Sequence, residues 1–266
     1  MNGSAAPRYA RDLVASPCGM GKMECHSITC LRHFALSQPL PELTAVPPVT
    51  DSPTAIAQWV AEVLRDRIVK GEYPPGSRLV ERRISAELDL SRTPVREALK
   101  LLHQDGLIEI SRNKGAQVVQ CSAEEAVQLF EVIASLESLA AERLARTITP
   151  ALLDELEDLH AQMMVFHKLG NHTDYFDTNS AIHDFIVENC GNPIVHDAHK
   201  RLIARARYGR FMAIHSADRL AQSVQEHETL MEALRSGDAA AAAQVWRQHL
   251  QHTGETFAAV LEDGEG

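Results

Sequence analysis

The sequence predicts a mainly α-helical protein in two parts, a compact unit of three helices closed by a β-hairpin and then an antiparallel bundle of six helices. Three observations carry this. Of the 266 residues, 45% are hydrophobic but only 5% aromatic, so aliphatic side chains on helix-forming segments must fill the cores. Apolar residues recur at helical spacing from Thr54 almost to the end of the sequence. Around "SRNKG" the pattern changes to two short β-prone pieces, which reads as a hairpin.

Residues 1–53 show little periodicity and end in "SQPLPELTAVPPVTDSP", so a disordered tail is expected there. Charges run through the first thirty residues without a signal-peptide core. No stretch reaches the roughly 18 apolar residues of a membrane span. A cytoplasmic protein without membrane partners is expected. The five scattered cysteines, Cys18, Cys25, Cys30, Cys121 and Cys190, suggest reduced thiols rather than a disulfide framework. Cys25 and Cys30, with His26 and His33 nearby, match no tight zinc spacing.

In "TAIAQWVAEVLRDRIVKG", Ile56, Val60, Val63, Leu64 and Ile68 mark one face of a first helix that Gly71 stops. A Pro-Pro-Gly turn leads to a short second helix carrying Ile84 and Leu88. The third helix is expected from about Ser91 to Gln104, with the Ser91 hydroxyl as its cap and Asp105 and Gly106 ending it. With Arg92 at zero on a helical wheel, Arg96 falls near 40° and Lys100 near 80°, while Val95, Ala98, Leu99 and Leu102 fall between about 240° and 340°. One face can seat the helix while the other reaches a DNA groove. Arg82 and Arg83 open the preceding helix, and Arg112, Asn113 and Lys114 sit at the hairpin tip. Residues 54–120 thus read as a winged helix-turn-helix.

Residues 121–262 read as the bundle. Ser122 with Glu125 is a capping box, and Thr149 with Pro150 is a cap and first-turn proline. A third helix covers "YFDTNSAIHDFIVENC". The fourth is expected unbroken from about Pro193 to His215, and the last two flank "SGD" at 236–238. His227 and His249 lie at equal distances from that turn, which sets them at one depth of a helical hairpin. His183 lies on the third helix, one turn beyond Asn179. Three imidazoles can therefore meet, although on spacing alone hydrogen-bonded or surface histidines are the commoner outcome. His160, His199 and the remaining histidines show no comparable geometry.

The formal charge of -10 divides along the same boundary. Residues 54–120 carry 11 Lys and Arg against 9 Asp and Glu, residues 121–266 carry 11 against 23, and residues 1–53 balance at 4 against 4. Overall acidity therefore does not argue against a nucleic-acid partner for the first unit.

The stretch "YPPGSRLVERRISAELDLSRTPVREALKLLHQDGLIEISRNKGAQV" resembles the DNA-binding domain of the GntR family of bacterial transcription regulators over nearly all of residues 56–119. That resemblance implies operator contacts from Arg82, Arg92, Thr93 and Arg96, with Lys114 and Gly115 added by the wing. The segments "FEVIASLESLAAERLA", "NSAIHDFIVENCGNPIV" and "QEHETLMEALRSGDAAAAAQVWRQHL" resemble the FCD effector-binding domain of the FadR-type branch over about residues 124–259. By that resemblance the chain is a homodimer on double-stranded operator DNA. A small metabolite, expected to be a carboxylate, would modulate its affinity. The resemblance also implies a divalent metal at Asn179, His183, His227 and His249, zinc first, with nickel and manganese compatible.

Two positions depart from the family pattern. Asn179 stands where a carboxylate is usual, and Ile133 where many relatives carry an arginine associated with organic acids. Arg201, Arg205 and Arg207 are the candidate replacements, so the effector site is expected at Arg205, Arg201 and Asn179. Two other readings compete. One is a constitutive DNA-binding protein whose helical domain is structural. The other is a metal-dependent enzyme, which would need an acid and base near the metal. Asp184 and Glu226 merely adjoin two candidate ligands on helices, where neighbouring residues point elsewhere.

Overall fold

A computed structural model describes residues 52–264. Of the expected disordered tail, residues 1–51, with Cys18, Cys25, Cys30, His26 and His33, lie outside the described residues, whereas Ser52 and Pro53 already belong to the start of the first helix. Helix α1 (Pro53–Val69) starts where the Ser52 hydroxyl accepts from the Ala55 N–H at 3.2 Å. It is followed by β1 (Arg78–Leu79), α2 (Glu81–Glu87), α3 (Arg92–Gln104), β2 (Ile108–Ser111) and β3 (Gly115–Val118). The strands form an antiparallel sheet in the order β1-β3-β2, with Ile108 opposite Val118 and Leu79 opposite Ala116. The two-residue β1 is too short to show a period, and its strand geometry comes from pairing with the second edge of β3.

Ser91 has the extended backbone of a cap, yet its side chain makes no capping hydrogen bond, contrary to expectation. Pro94 occupies the third helical position and has no N–H, which removes one of the two amides such a hydroxyl usually accepts from. The inward face is as the wheel requires. Val95, Ala98, Leu99 and Leu102 pack with Val60, Leu64, Ile68, Ile84 and Ile108 in one core. Each large aliphatic side chain there contributes roughly 1.5–3 kcal/mol.

The second part contains α4 (Ala123–Thr147), α5 (Pro150–Lys168), α6 (His172–Glu188), α7 (Pro193–Lys200), α8 (Ile203–Ala213), α9 (Ala217–Ser236) and α10 (Ala239–Gly264). The Ser122–Glu125 capping box is formed in both directions, at 3.0 and 3.1 Å. Thr149 caps α5 as read from sequence. Gly237 closes α9 at φ +70°, a left-handed conformation that suits glycine.

The bundle holds seven helices among the described residues rather than six, because the expected fourth helix breaks at Arg201 and Leu202. Both halves pack in the bundle, but the start of the second also enters the other core. Val195 and Phe211 pack in the bundle, whereas Ala204 packs with the winged unit. Helices α4 and α10 form the long axis of the bundle. Their close approach needs Gly254, where a Cβ would lie 2.5 Å from that of Phe130. No helix among the described residues is long and apolar enough to cross a membrane.

Candidate DNA interface and histidine centre

Arg82, Arg92, Thr93, Arg96, Lys114 and Gly115 are all exposed. Arg96, Lys100 and Glu81 share a groove between α3 and the wing with Ile110, Lys114 and Gly115. The Arg96 guanidinium grips Glu81 through two bonds, Nε to Oε1 at 3.2 Å and Nη2 to Oε2 at 3.1 Å. This carboxylate raises the Arg96 pKa above its ordinary value. At the hairpin tip the Lys114 N–H donates to the Ser111 hydroxyl at 3.1 Å, shaping the turn that presents the cationic wing.

Deep in the bundle, α6, α9 and α10 bring His183, His227 and His249 together. One ring nitrogen of each lies within 4.8 Å of the others, and the ring centroids are 5.0–5.9 Å apart. All three are buried. Two carboxylates orient His183 and His249. The His183 Nδ1–H donates to Glu137 Oε2 at 2.5 Å, and His199 Nε2 donates to Glu137 Oε1 at 2.8 Å. Trp246 Nε1 donates to Oε2 at 3.1 Å, while its ring stacks on His249 at 4.6 Å. His249 Nδ1 lies 2.8 Å from Glu226 Oε2, and Arg219 Nη2 lies 2.9 Å from the same oxygen.

Burial disfavours ionisation of Glu226, but hydrogen bonds and charge from His249 and Arg219 outweigh it and hold its pKa at about 2. Glu226 is therefore an acceptor at neutral pH, and the His249 proton sits on Nδ1. Burial also opposes ionisation of Glu137. The field and hydrogen bond of His183, then those of His199, overcome it and keep that carboxyl well below its usual range.

These assignments aim Nε2 of His183 and of His249 away from their carboxylates. Nε2 of His183, both nitrogens of His227 and Oδ1 of Asn179 are buried without a partner. Orphaned groups of this kind each cost about 1–3 kcal/mol. A donor set of three imidazoles, backed by carboxylates behind two of the rings, fits a divalent metal ion. Asn179 lines a small cavity with His249, Arg210, Arg219 and Ser223.

The same burial makes the centre acid-sensitive. Desolvation lowers the pKa of His183 to about 3 and of His249 to about 4, and pushes that of His227 well below 6.5. Below the ordinary value of 6.5 the unfolded chain binds protons that the folded histidines refuse, so stability is lost as pH falls. The metal-free protein should unfold at progressively lower denaturant as pH drops from 6.5 through 4. Glu226 adds a further loss from its ordinary 4.5 towards about 2. Urea midpoints measured at pH 7, 6, 5 and 4 test this, and a flat profile down to pH 5 would contradict neutral buried histidines.

The expected effector arginines are placed elsewhere. Arg201 is exposed. Arg205 lines a different cavity with Gly106, Cys121, Tyr208 and Phe257, and Arg207 pairs with Asp184. The arginines beside His249 are Arg210 and Arg219, 2% and 4% exposed. All three guanidinium nitrogens of Arg210 lack a partner. Ile133 is simply part of the bundle core. Sequence reasoning also passed over Glu137, His199 and His160, whose ring stacks on His227 at 6.4 Å. It read Glu226 as facing away from the centre, whereas Glu226 reaches across the hairpin to His249. The usable signal was a charge inside an apolar run, as in "SLESL" for Glu137 and "YGRFMAI" for Arg210.

The model of the bacterial regulatory proteins of the gntR family matches residues 56–118, and that of the FCD domain matches residues 128–252. The HTH-type transcriptional regulator YdhC of Bacillus subtilis is 25% identical over 219 residues, spanning 81% of this chain and 96% of that protein. The HTH-type transcriptional repressor RspR of Escherichia coli is 26% identical over 209 residues, spanning 78% and 91%. The solved structure of E. coli McbR/YncC superposes with a TM-score of 0.68 at 20% identity, over 81% of this chain and all of that one, so the fold is shared. With both of its parts matched in order along the chain, the protein belongs to the GntR family of bacterial transcriptional regulators, its winged helix-turn-helix followed by an FCD domain.

Proposed function

We propose that residues 54–120 bind operator DNA as half of a homodimer, and that residues 121–262 form a sensor domain for a small carboxylate. Asn179, His183, His227 and His249 would hold a divalent metal, zinc first and nickel or manganese as alternatives. The observation that carries this reading is the set of buried donors without partners beside a buried, unpartnered Arg210. When bound, the metal supplies a Lewis acid for one carboxylate oxygen. Arg210 then supplies a charged fork for the other, with Asn179 at the same cavity. Arg201 and Arg205, the effector residues expected from sequence, lie off this path.

Both nearby carboxylates are engaged by histidines, which favours a sensor over a hydrolytic enzyme. The name of RspR marks that protein as a repressor, and repression is the reading favoured here. To switch, the ligand must bind the two dimer conformations unequally.

Footprinting should show a short inverted repeat upstream of a neighbouring operon. An organic acid that fits should change operator affinity by about 5–150-fold in metal-loaded protein and not after chelation. Arg210→Met should abolish that response, whereas Arg205→Met should keep it. If every acid tested leaves operator binding unchanged, the constitutive reading takes over.

A further inference from the structure

We propose that the hydrogen-bonded chain His183–Glu137–His199 couples the histidine centre to the DNA-binding helices. This rests on the metal reading above. Glu137 divides its two oxygens between the two histidines. Oε2 takes His183 at 2.5 Å and Trp246 at 3.1 Å, and Oε1 takes His199 at 2.8 Å. The carboxylate is fully buried, so no water stands ready to replace a partner that moves.

His199 lies in the last turn of α7. Besides meeting Glu137, it lines a cavity of about 320 Å³ between the two parts of the protein. The opposite wall is Arg65 of α1 and Asp105 at the end of α3, joined at 2.6 Å. Asp184, one residue beyond His183, lines the same cavity together with Arg207.

The chain breaks directly after His199. Lys200 ends α7, Arg201 and Leu202 form the turn, and α8 begins without a side-chain cap. Ala204 is then embedded in the hydrophobic core of the winged unit. The end of α7 is thus held by the carboxylate behind a metal ligand, and the start of α8 is held by the DNA-binding core. Only a few residues separate the two anchors. Packed interiors transmit displacement because they compress little, and the cavity gives α7 and α8 room to move. A shift of the His183 ring on metal binding carries Glu137, then His199, then the segment seated against α1 and α3.

Hydrogen–deuterium exchange of the full chain, titrated with zinc chloride, tests the link. Zinc should change exchange at residues 56–70 and 100–107 in addition to the peptides holding the histidines. His199→Leu should still bind zinc, measured by calorimetry, losing less than the roughly tenfold that removal of a ligand-orienting partner costs. In that variant residues 56–70 and 100–107 should no longer respond. His199→Gln, whose amide can donate to Glu137, should restore the response. If wild-type protein binds zinc and those residues stay unchanged, the link is wrong while the metal reading stands. If wild-type protein binds no zinc, the metal reading fails and takes the link with it. A His199→Leu protein that responds like wild type, or one that loses zinc outright, also overturns the proposal.

Discussion

Glu137→Leu should lower the unfolding free energy by about 3–5 kcal/mol, the cost of removing one partner from a buried charged network. For a bundle of this size that is a fall of roughly 6–20 °C in melting temperature. Three donors converge on this carboxylate, from His183, His199 and Trp246, and a leucine leaves each of them buried and unpaired. Glu137→Gln keeps the shape and one good acceptor, so it should fall between wild type and leucine. Both variants should bind zinc about 10–100-fold more weakly, because His183 loses the carboxylate that fixes its tautomer and orientation. Thermal unfolding in the presence of chelator isolates the structural part of the effect, and zinc calorimetry on protein still folded at 20 °C isolates the rest. A leucine variant as stable as wild type would show that this network does not form.

Glu137 also marks the boundary of what could be read without a structure. Signals confined to one turn of chain were legible. Ser122 with Glu125 and Thr149 with Pro150 locate helix starts because capping involves residues three apart. His227 and His249 were legible as a pair because the turn at Gly237 fixes the register of their hairpin. The break at Arg201 was not, since nothing local forbids a helix there. Just beyond it, Ala204 enters the other core, a contact distant in sequence. The same holds for β1, which exists by pairing. Glu137 and Arg210 contribute across the bundle, and only the crossing of α4, α6, α8 and α10 shows that two charges in apolar runs stand at the histidine centre. The sequence pointed to Arg201, Arg205 and Arg207 because they form a visible cluster, whereas Arg210 is defined by what its helix faces.

Arg96→Ala is expected to weaken operator binding by about 1–3 kcal/mol, the usual worth of one bidentate base contact. Its guanidinium is not idle in the free protein, because Glu81 holds it at 3.1–3.2 Å. The balance between the two partners decides the outcome. The pair is exposed, with side-chain accessibilities of 58% and 34%, and ion pairs in water contribute at most about 1 kcal/mol. A guanine edge or a phosphate therefore wins over Glu81, and until then the pair keeps the fork extended beside the groove it must enter. Glu81→Gln should accordingly tighten binding, since it releases Arg96 and removes a negative charge from a surface facing phosphates. Neither change should move the melting temperature appreciably, because Val95, Ala98, Leu99 and Leu102 hold α3 from the opposite face. Anisotropy titrations of operator and scrambled DNA at two salt concentrations separate the possible roles. Loss of discrimination at one base pair assigns Arg96 to base reading, and a uniform loss with a salt slope reduced by about one assigns it to phosphate. An Arg96→Ala protein that keeps wild-type affinity for both DNAs would place the reading face of α3 elsewhere, on Arg92 and Thr93.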